Sequence, residues 1–220
     1  MNDLISVIIP VRDGAKYITE AINGILAQDM NCEIIVVDDA STDNTAEIAA
    51  SLGCKVIRHE INKGQVAGKN TGLQAANGKY VMFHDHDDVM QQGSLRRLYD
   101  FLEQNPETYM IMGKVKDFVS PDFSGKSSMA KPEAYWGLFT GAVLMRKDLF
   151  DKVGLFYENI NTGEIIELQQ KMQTAGLKTE KLDFISCMRR IHDSNYGRTA
   201  AKKEFQDYAA ILRKRLMNKN

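Results

Sequence analysis

Cysteine is scarce. Cys32, Cys54 and Cys187 are the only three in 220 residues, and no two share a CxxC spacing. A disulfide framework or a zinc site is therefore not expected, and a reducing, cytoplasmic setting is. Charge of one sign is scarce too, with 28 basic side chains against 29 acidic and a net charge of −1. Without a general basic surface there is no counterion-release drive, so nucleic acid is not an expected partner. No stretch approaches the roughly 18 apolar residues of a membrane span. The opening MNDLISVIIPVRDG is short and carries Asp3, so it reads neither as a signal peptide nor as a span. Repeats and low-complexity segments are also missing. What remains is a chain that is 44% apolar, enough to build the core of one large domain.

Short apolar runs alternate with helical periodicity through the first 90 residues. Ile5–Pro10, Glu33–Val37, Lys55–Arg58 and Tyr80–Phe83 read as strands rich in β-branched and aromatic side chains. Between the first two, Ile18, Ala21, Ile22 and Ile25 mark one face of a helix. Ser41, Thr42 and Asp43 offer N-caps for a second helix, running through Ala46, Ala49 and Leu52, and Gln65–Ala76 forms a third. Strand–helix alternation of this kind predicts βαβ units and a parallel sheet. Further on, the pattern predicts a helix over Gln92–Gln104, strands over Tyr109–Phe118, Gly141–Arg146 and Thr179–Met188, a helix from near Gly163, and a last helix over 199–217. Val119–Glu133, with Pro121, Gly125 and Pro132, is the best loop, long enough to serve as a binding loop.

Acidic clusters fall where strands one, two and four end: Arg12-Asp13-Gly14, Asp38-Asp39-Ala40-Ser41-Thr42-Asp43 and His84-Asp85-His86-Asp87-Asp88. Any one alone reads as a solvated turn. Three on the carboxyl edge of one parallel sheet read as a ligand site. Asp85 and Asp87, two apart in extended chain, point the same way and suit one hard cation, Mg²⁺ or Mn²⁺, shared with substrate phosphates. His84 and His86 have the opposite parity and read first as packing or hydrogen-bonding residues.

SVIIPVRDG, VVDDASTDNT and NKGQVAGKNTGLQAANGKYVMFHDHDD, followed by GAVLMRKDLFDKVGLF and Arg190-Ile191-His192 with Asn195, resemble an inverting family 2 glycosyltransferase. The last part of the third stretch stands where that family has its DxD motif. The resemblance implies an α/β, GT-A-type (Rossmann-like) fold: one domain with a mostly parallel mixed sheet flanked by helices. Residues 1–90 would form its nucleotide-sugar-binding half, 91–198 its acceptor-binding half, and 199–220 a C-terminal amphipathic helix. It implies hexosyl transfer from a nucleoside diphosphate donor, a UDP-sugar first, to a glycan, lipid-linked or other hydroxyl acceptor, with Mn²⁺ or Mg²⁺. Carried across, Pro10, Arg12 and Asp13 line the nucleoside pocket, Asp38 and Asp39 contact base and ribose, and Lys69 stands beside the diphosphate. Asp85 and Asp87 hold the metal–diphosphate, and His192 closes the site and joins the metal set.

The family's acceptor-side Glu-Asp pair aligns with Gly163-Glu164-Ile165, which puts Ile165 where the catalytic Asp belongs. Helical spacing gives Ile165, Leu168, Met172 and Ala175 a core-facing stripe instead. Glu164 and Glu167 are then the candidate bases, although Glu167–Lys171 also reads as an exposed i, i+4 pair. Two alternatives follow: a nucleotide-sugar-binding partner that has lost its base, and a haloacid-dehalogenase-like phosphatase built on Asp85-His86-Asp87-Asp88-Val89. The basic 199–217 helix packs on the domain or a second subunit, or lies on the inner face of the membrane, and Trp136 is either a sugar platform or core.

Overall fold

In the computed structural model, residues 3–125, 129–137, 139–158, 160 and 162–195 are described, and the structure of this chain is read from them. The helix expected over 199–217, with its membrane and dimer readings, lies outside the described residues. Strand β1 (Ile5–Val11) leads to α1 (Ile18–Leu26), β2 (Cys32–Asp38), α2 (Thr45–Ser51), β3 (Lys55–Arg58), α3 (Gln65–Ala75) and β4 (Tyr80–Phe83). Then follow β5 (Val89–Met90), α4 (Ser94–Gln104), β6 (Thr108–Val119), a 3₁₀ turn (Thr140–Ala142), β7 (Val143–Arg146), α5 (Leu149–Val153), α6 (Glu164–Thr174) and β8 (Lys178–Ile191). All eight strands share one sheet, in the order β3-β2-β1-β4-β7-β6-β8-β5. The first four pair in parallel, while β7 runs antiparallel to both β4 and β6 and β5 antiparallel to β8. This is the mixed, mostly parallel α/β sheet that the sequence predicts.

Every residue of β1 is buried, as a strand covered on both faces requires. Val7 and Ile9 pack with Ile18, Ile22 and Ile25 of α1 and with Leu95, Leu98 and Leu102 of α4. Ile8 turns to the other face, with Val66 and Leu73 of α3 and with Ile165, Leu168 and Met172 of α6. The stripe stops there: Ala175, expected to complete it, is exposed. Other departures are small. The N-cap of α2 is Asn44, while Asp43 accepts from Thr45 N at 3.1 Å. Gly141 and Ala142 belong to the turn before β7 rather than to the strand. Both β5 and α5 are too short for periodicity to reveal. Cys32, Cys54 and Cys187 are free thiols, and among the described residues no helix is long and apolar enough to cross a membrane.

Two features shape the site. The chain order reverses between β1 and β4, which opens the crevice where open α/β sheets bind ligands. Pro10 sits on β1 with its nitrogen on the β4 side, the same side as Ile8, whose carbonyl accepts from His84 N at 2.9 Å. The last β1–β4 pair is Ile8–Phe83, so the missing N–H of Pro10 faces a place where β4 has ended. On α3, the absent side chain of Gly72 lets the helix rest on β1: a Cβ there would meet Ile8 Cγ2 at 2.3 Å. Gly72→Ala should therefore lower the unfolding free energy by about 1–3 kcal/mol, read as a reduced urea midpoint at unchanged slope. A midpoint equal to wild type would show that α3 does not bear on β1 this closely.

Candidate active site

The loops after β1 and β2 are stitched together before any ligand arrives. Asp39 N donates to Val11 O at 2.8 Å. Asp13 N donates to Ser41 Oγ at 2.9 Å, and the Asp13 carboxylate accepts from Thr42 N at 2.7 Å. Gly14 N donates to Thr45 Oγ1 at 2.9 Å and Ala15 N to Asp43 at 3.1 Å. Asp13 (φ 51°) and Ala40 (φ 60°) both take left-handed backbone; Asp tolerates this, but for Ala40 it costs about 1–2 kcal/mol. Arg12 projects to solvent, 3.6 Å from Asp13. Pro10 is buried and lies against Gly68 of α3.

Asp38 and Asp39 are buried behind this loop pair. Asp38 accepts from Ser41 N at 2.9 Å and lies 3.2 Å from Arg58 Nε. Asp39 accepts from Lys63 N at 2.8 Å and Gly64 N at 2.7 Å, and lies 2.8 Å from His59 Nδ1. In this structure both carboxylates hold the walls of an open cleft of about 560 Å³, lined by Ala40, Ser41, Arg58, His59 and Glu60. Sequence reasoning missed Arg58, His59 and Glu60. They stand at the end of β3 as the acidic clusters stand at the ends of β1, β2 and β4, so the same edge rule would have found them.

Across the switch point, the segment after β4 meets the loop after β1: a Cβ on Gly14 would lie 2.6 Å from His86 Cδ2. Asp85 accepts from Gln65 Nε2 at 3.0 Å. Burial pushes its carboxyl above the ordinary range, with Lys69 pulling down and Asp87 and Glu164 pushing up. Asp87 goes the other way. Burial again opposes its charge, but the hydrogen bond from His192 (Nε2 to Oδ2, 2.8 Å) and the nearby His86 ring prevail, and its pKa falls to about 2. Asp88 is buried, accepting from Arg190 N at 2.9 Å; burial and then Asp87 and Asp85 raise its carboxyl well above the usual range. His84 is fully buried, with Nε2 3.3 Å from the Asp88 carbonyl oxygen, the packing role its parity predicts.

The expected metal set is only partly assembled. Among the described residues no three His, Cys, Asp or Glu side chains stand together at metal-holding spacing. His192 bonds to Asp87, and its Nδ1 lies 2.9 Å from Ser194 Oγ, so its ring is committed to holding that carboxylate.

Behind Asp85 lies a buried ion pair. Lys69, 1% exposed on α3, bonds to Glu164 at the start of α6 and to Thr140 Oγ1 at 3.0 Å. Lys69 thus contacts the candidate base itself. Glu167 is also buried, contrary to the exposed pair expected of it. Its carboxylate takes Lys171 Nζ at 2.5 Å and accepts from Tyr157 N at 3.2 Å, fixing the chain before α6. Ile165 belongs to the core, 2% exposed. Trp136 is 39% exposed, with the ammonium groups of Lys114 and Lys181 5.6 and 5.3 Å from its ring, so it is no core residue.

An α/β sheet that gathers acids, a histidine and a buried lysine at its switch point, with a cleft alongside, has the design of a GT-A-type protein. The sequence profile of glycosyl transferase family 2 matches residues 6–164, and the chain belongs to that family. Glycosyltransferase GlyG of Streptococcus pneumoniae is 28% identical over 84% of this chain and 69% of its own length. Among solved structures, TarS 1–349 of Staphylococcus aureus with UDP-GlcNAc superposes with a TM-score of 0.73, 24% identity, and coverage of 96% of this chain and 65% of that one. The mannosyltransferase PcManGT of Pyrobaculum calidifontis, with GDP-Man and Mn²⁺, gives 0.74 at 19% identity, covering 97% and 65%. The chain spans about two thirds of the length of these three, and 52% and 31% of other curated relatives. Family membership leaves the phosphatase alternative without support.

Asp87 also sets a pH dependence. A carboxyl whose folded pKa lies below its unfolded value of about 3.9 contributes stability above that value and loses it as pH falls toward the folded one. The stability advantage of wild type over Asp87→Asn should therefore be full above about pH 4 and shrink toward pH 2, followed by denaturant unfolding in EDTA. An advantage constant across that window would mean the His192–Asp87 bond carries no net free energy.

Proposed function

We propose that this chain transfers a hexosyl group from a nucleoside diphosphate sugar, a UDP-sugar first, to a hydroxyl of a glycan, lipid-linked or other acceptor, with inversion, in cytoplasmic glycan or polysaccharide biosynthesis. The observation that carries the reading is the cluster at the switch point, where Asp85 and Asp87 follow β4 and the Lys69–Glu164 pair lies close enough to act on the Asp85 carboxyl. The UDP-GlcNAc and GDP-Man bound by the two structural neighbours support a nucleotide sugar as donor. On this reading the nucleobase takes the cleft of Ala40, Ser41 and Arg58 to Glu60, shaped by Asp38 and Asp39. Pro10, Arg12 and Asp13 line the rest of the nucleoside pocket, and the diphosphate lies toward Asp85 and Asp87.

Asp85 and Asp87 fit a divalent cation. They are hard oxygen donors, Asp85 stands in the field of two further carboxylates, and Mg²⁺ or Mn²⁺ is commonly held by one or two acids plus substrate phosphates. When bound there, such an ion takes up the charge that develops on the leaving diphosphate. His192 holds Asp87 in place for it. The protein's own chemistry is proton transfer on the acceptor side. Glu164 takes the proton of the acceptor hydroxyl as its oxygen bonds to the anomeric carbon, and the bond from that carbon to the diphosphate breaks. Lys69 holds the Glu164 carboxylate and is itself held by Thr140 Oγ1, while Glu167 fixes the 155–157 segment that leads into α6.

Two substitutions separate these roles. Asp87→Asn should abolish Mn²⁺-dependent nucleotide binding, measured calorimetrically with UDP and with GDP. Glu164→Gln should keep that binding and lower turnover by about 10²–10⁴-fold. Proton NMR of the product should show the anomeric configuration inverted relative to the donor. Turnover at the wild-type rate in Glu164→Gln would overturn the base assignment, and metal-independent nucleotide binding in wild type would overturn the role of Asp85 and Asp87.

A further inference from the structure

One buried cation is not used by the chemistry above. Arg190, near the end of β8, is 5% exposed and lies between two rings, its guanidinium carbon 4.9 Å from the centroid of Tyr17 and 4.6 Å from that of Phe118. Its side chain and backbone make four polar contacts. Nε donates to the main-chain oxygen of Asp87 at 2.9 Å. Its Nη2 donates to Glu20 on α1 at 2.5 Å, and its backbone N–H donates to the Asp88 carboxylate at 2.9 Å. Its carbonyl accepts from Asn195 Nδ2 at 3.1 Å, and Asn195 Oδ1 in turn accepts from His192 N at 2.7 Å. Tyr17 completes the ring of contacts by packing on His192, ring centroids 4.7 Å apart and planes tilted by 49°.

A planar guanidinium serves here because a single ammonium cannot stack between two rings while donating along two fixed directions. The Asp87–His192 bond joins chain segments 105 residues apart, and neither residue sits inside a regular element. Something must fix their backbones relative to each other. Arg190 touches the Asp87 main chain directly and reaches His192 through Asn195 and Tyr17, with Glu20 on α1 as the outside anchor.

We propose, on the donor-site reading given above, that Arg190 is a positioning residue that holds Asp87 and His192 in register for the metal-bound donor diphosphate. It does not itself contact the donor. Partners that orient metal-ligating side chains in this way typically account for about 10–100-fold in metal affinity.

The test uses the whole chain, UDP and GDP with MnCl₂, and three forms: wild type, Arg190→Lys and Glu20→Gln. Arg190→Lys keeps the charge and loses the fork; it should weaken Mn²⁺-dependent nucleotide binding roughly tenfold or more. Its His192 imidazole resonances should shift, and both changes should exceed what any drop in melting temperature accounts for. Glu20, whose side chain is 57% exposed, tolerates substitution, and Glu20→Gln should move both readouts in the same direction by less. Wild-type affinity and unshifted His192 resonances in a folded Arg190→Lys would overturn the proposal. If Arg190→Lys does not fold, an unaltered Glu20→Gln does so. If wild type binds neither nucleotide with Mn²⁺, the donor reading fails by itself; the His192 resonances then decide the positioning role, shifted in its favour or unshifted against it.

Discussion

Carboxylates brought together at the ends of parallel strands repel one another and lose solvation, and each must recover that cost through a donor fixed in place. Most of the polar contacts at this sheet edge answer that demand. Asp13 takes the Thr42 amide, Asp38 takes Ser41 and Arg58, and Asp39 takes two amides and an imidazole. Asp87 takes His192, Asp88 takes the Arg190 amide, and Glu164 takes Lys69. Asp85 and Asp88 recover least: their donors are a neutral glutamine amide and a backbone N–H, and burial leaves both carboxyls raised. Of the two, Asp88 is closed off in the core and Asp85 is only half-buried, so Asp85 is the one an incoming cation can meet.

Opposite shifts in Asp85 and Asp87, two residues apart, divide the work between them. Asp87 stays charged because an imidazole is held against it. Asp85 has its ionised form penalised until a positive partner arrives. Lys69 and Glu164 carry a similar coupling from α3 to α6, so the two halves of the chain meet in a buried ion pair. Removing one partner of such a pair strands the other, which makes it a joint where damage to either helix reaches both.

The strands were legible because β-branched runs with turn residues on either side have few other readings. Lys55–Arg58 and Tyr80–Phe83 fall on the predicted bounds. Period-3.6 patterning located α1 for the same reason. Contacts between distant segments were beyond reach: Lys69 and Glu164 are 95 residues apart, and no spacing announces their meeting. Glu167 misled because an i, i+4 acid–base pair is the usual mark of a solvated face, and only packing against the 155–157 segment buries it. The carboxyl-edge rule found the acids of three strands and, applied to β3 as well, would have found the cleft.

Pro10 has a further meaning in terms of polymer contacts rather than ligand contacts. Two neighbouring parallel strands tend to zip as far as their hydrogen-bonding groups allow. At Pro10 the next rung on the β4 side has no donor, so pairing stops at Ile8–Phe83 however the chain beyond fluctuates. The mouth of the crevice is thus a stretch where two backbones are chemically barred from joining. One imino acid keeps open the gap between β1 and the segment that carries Asp85 and Asp87.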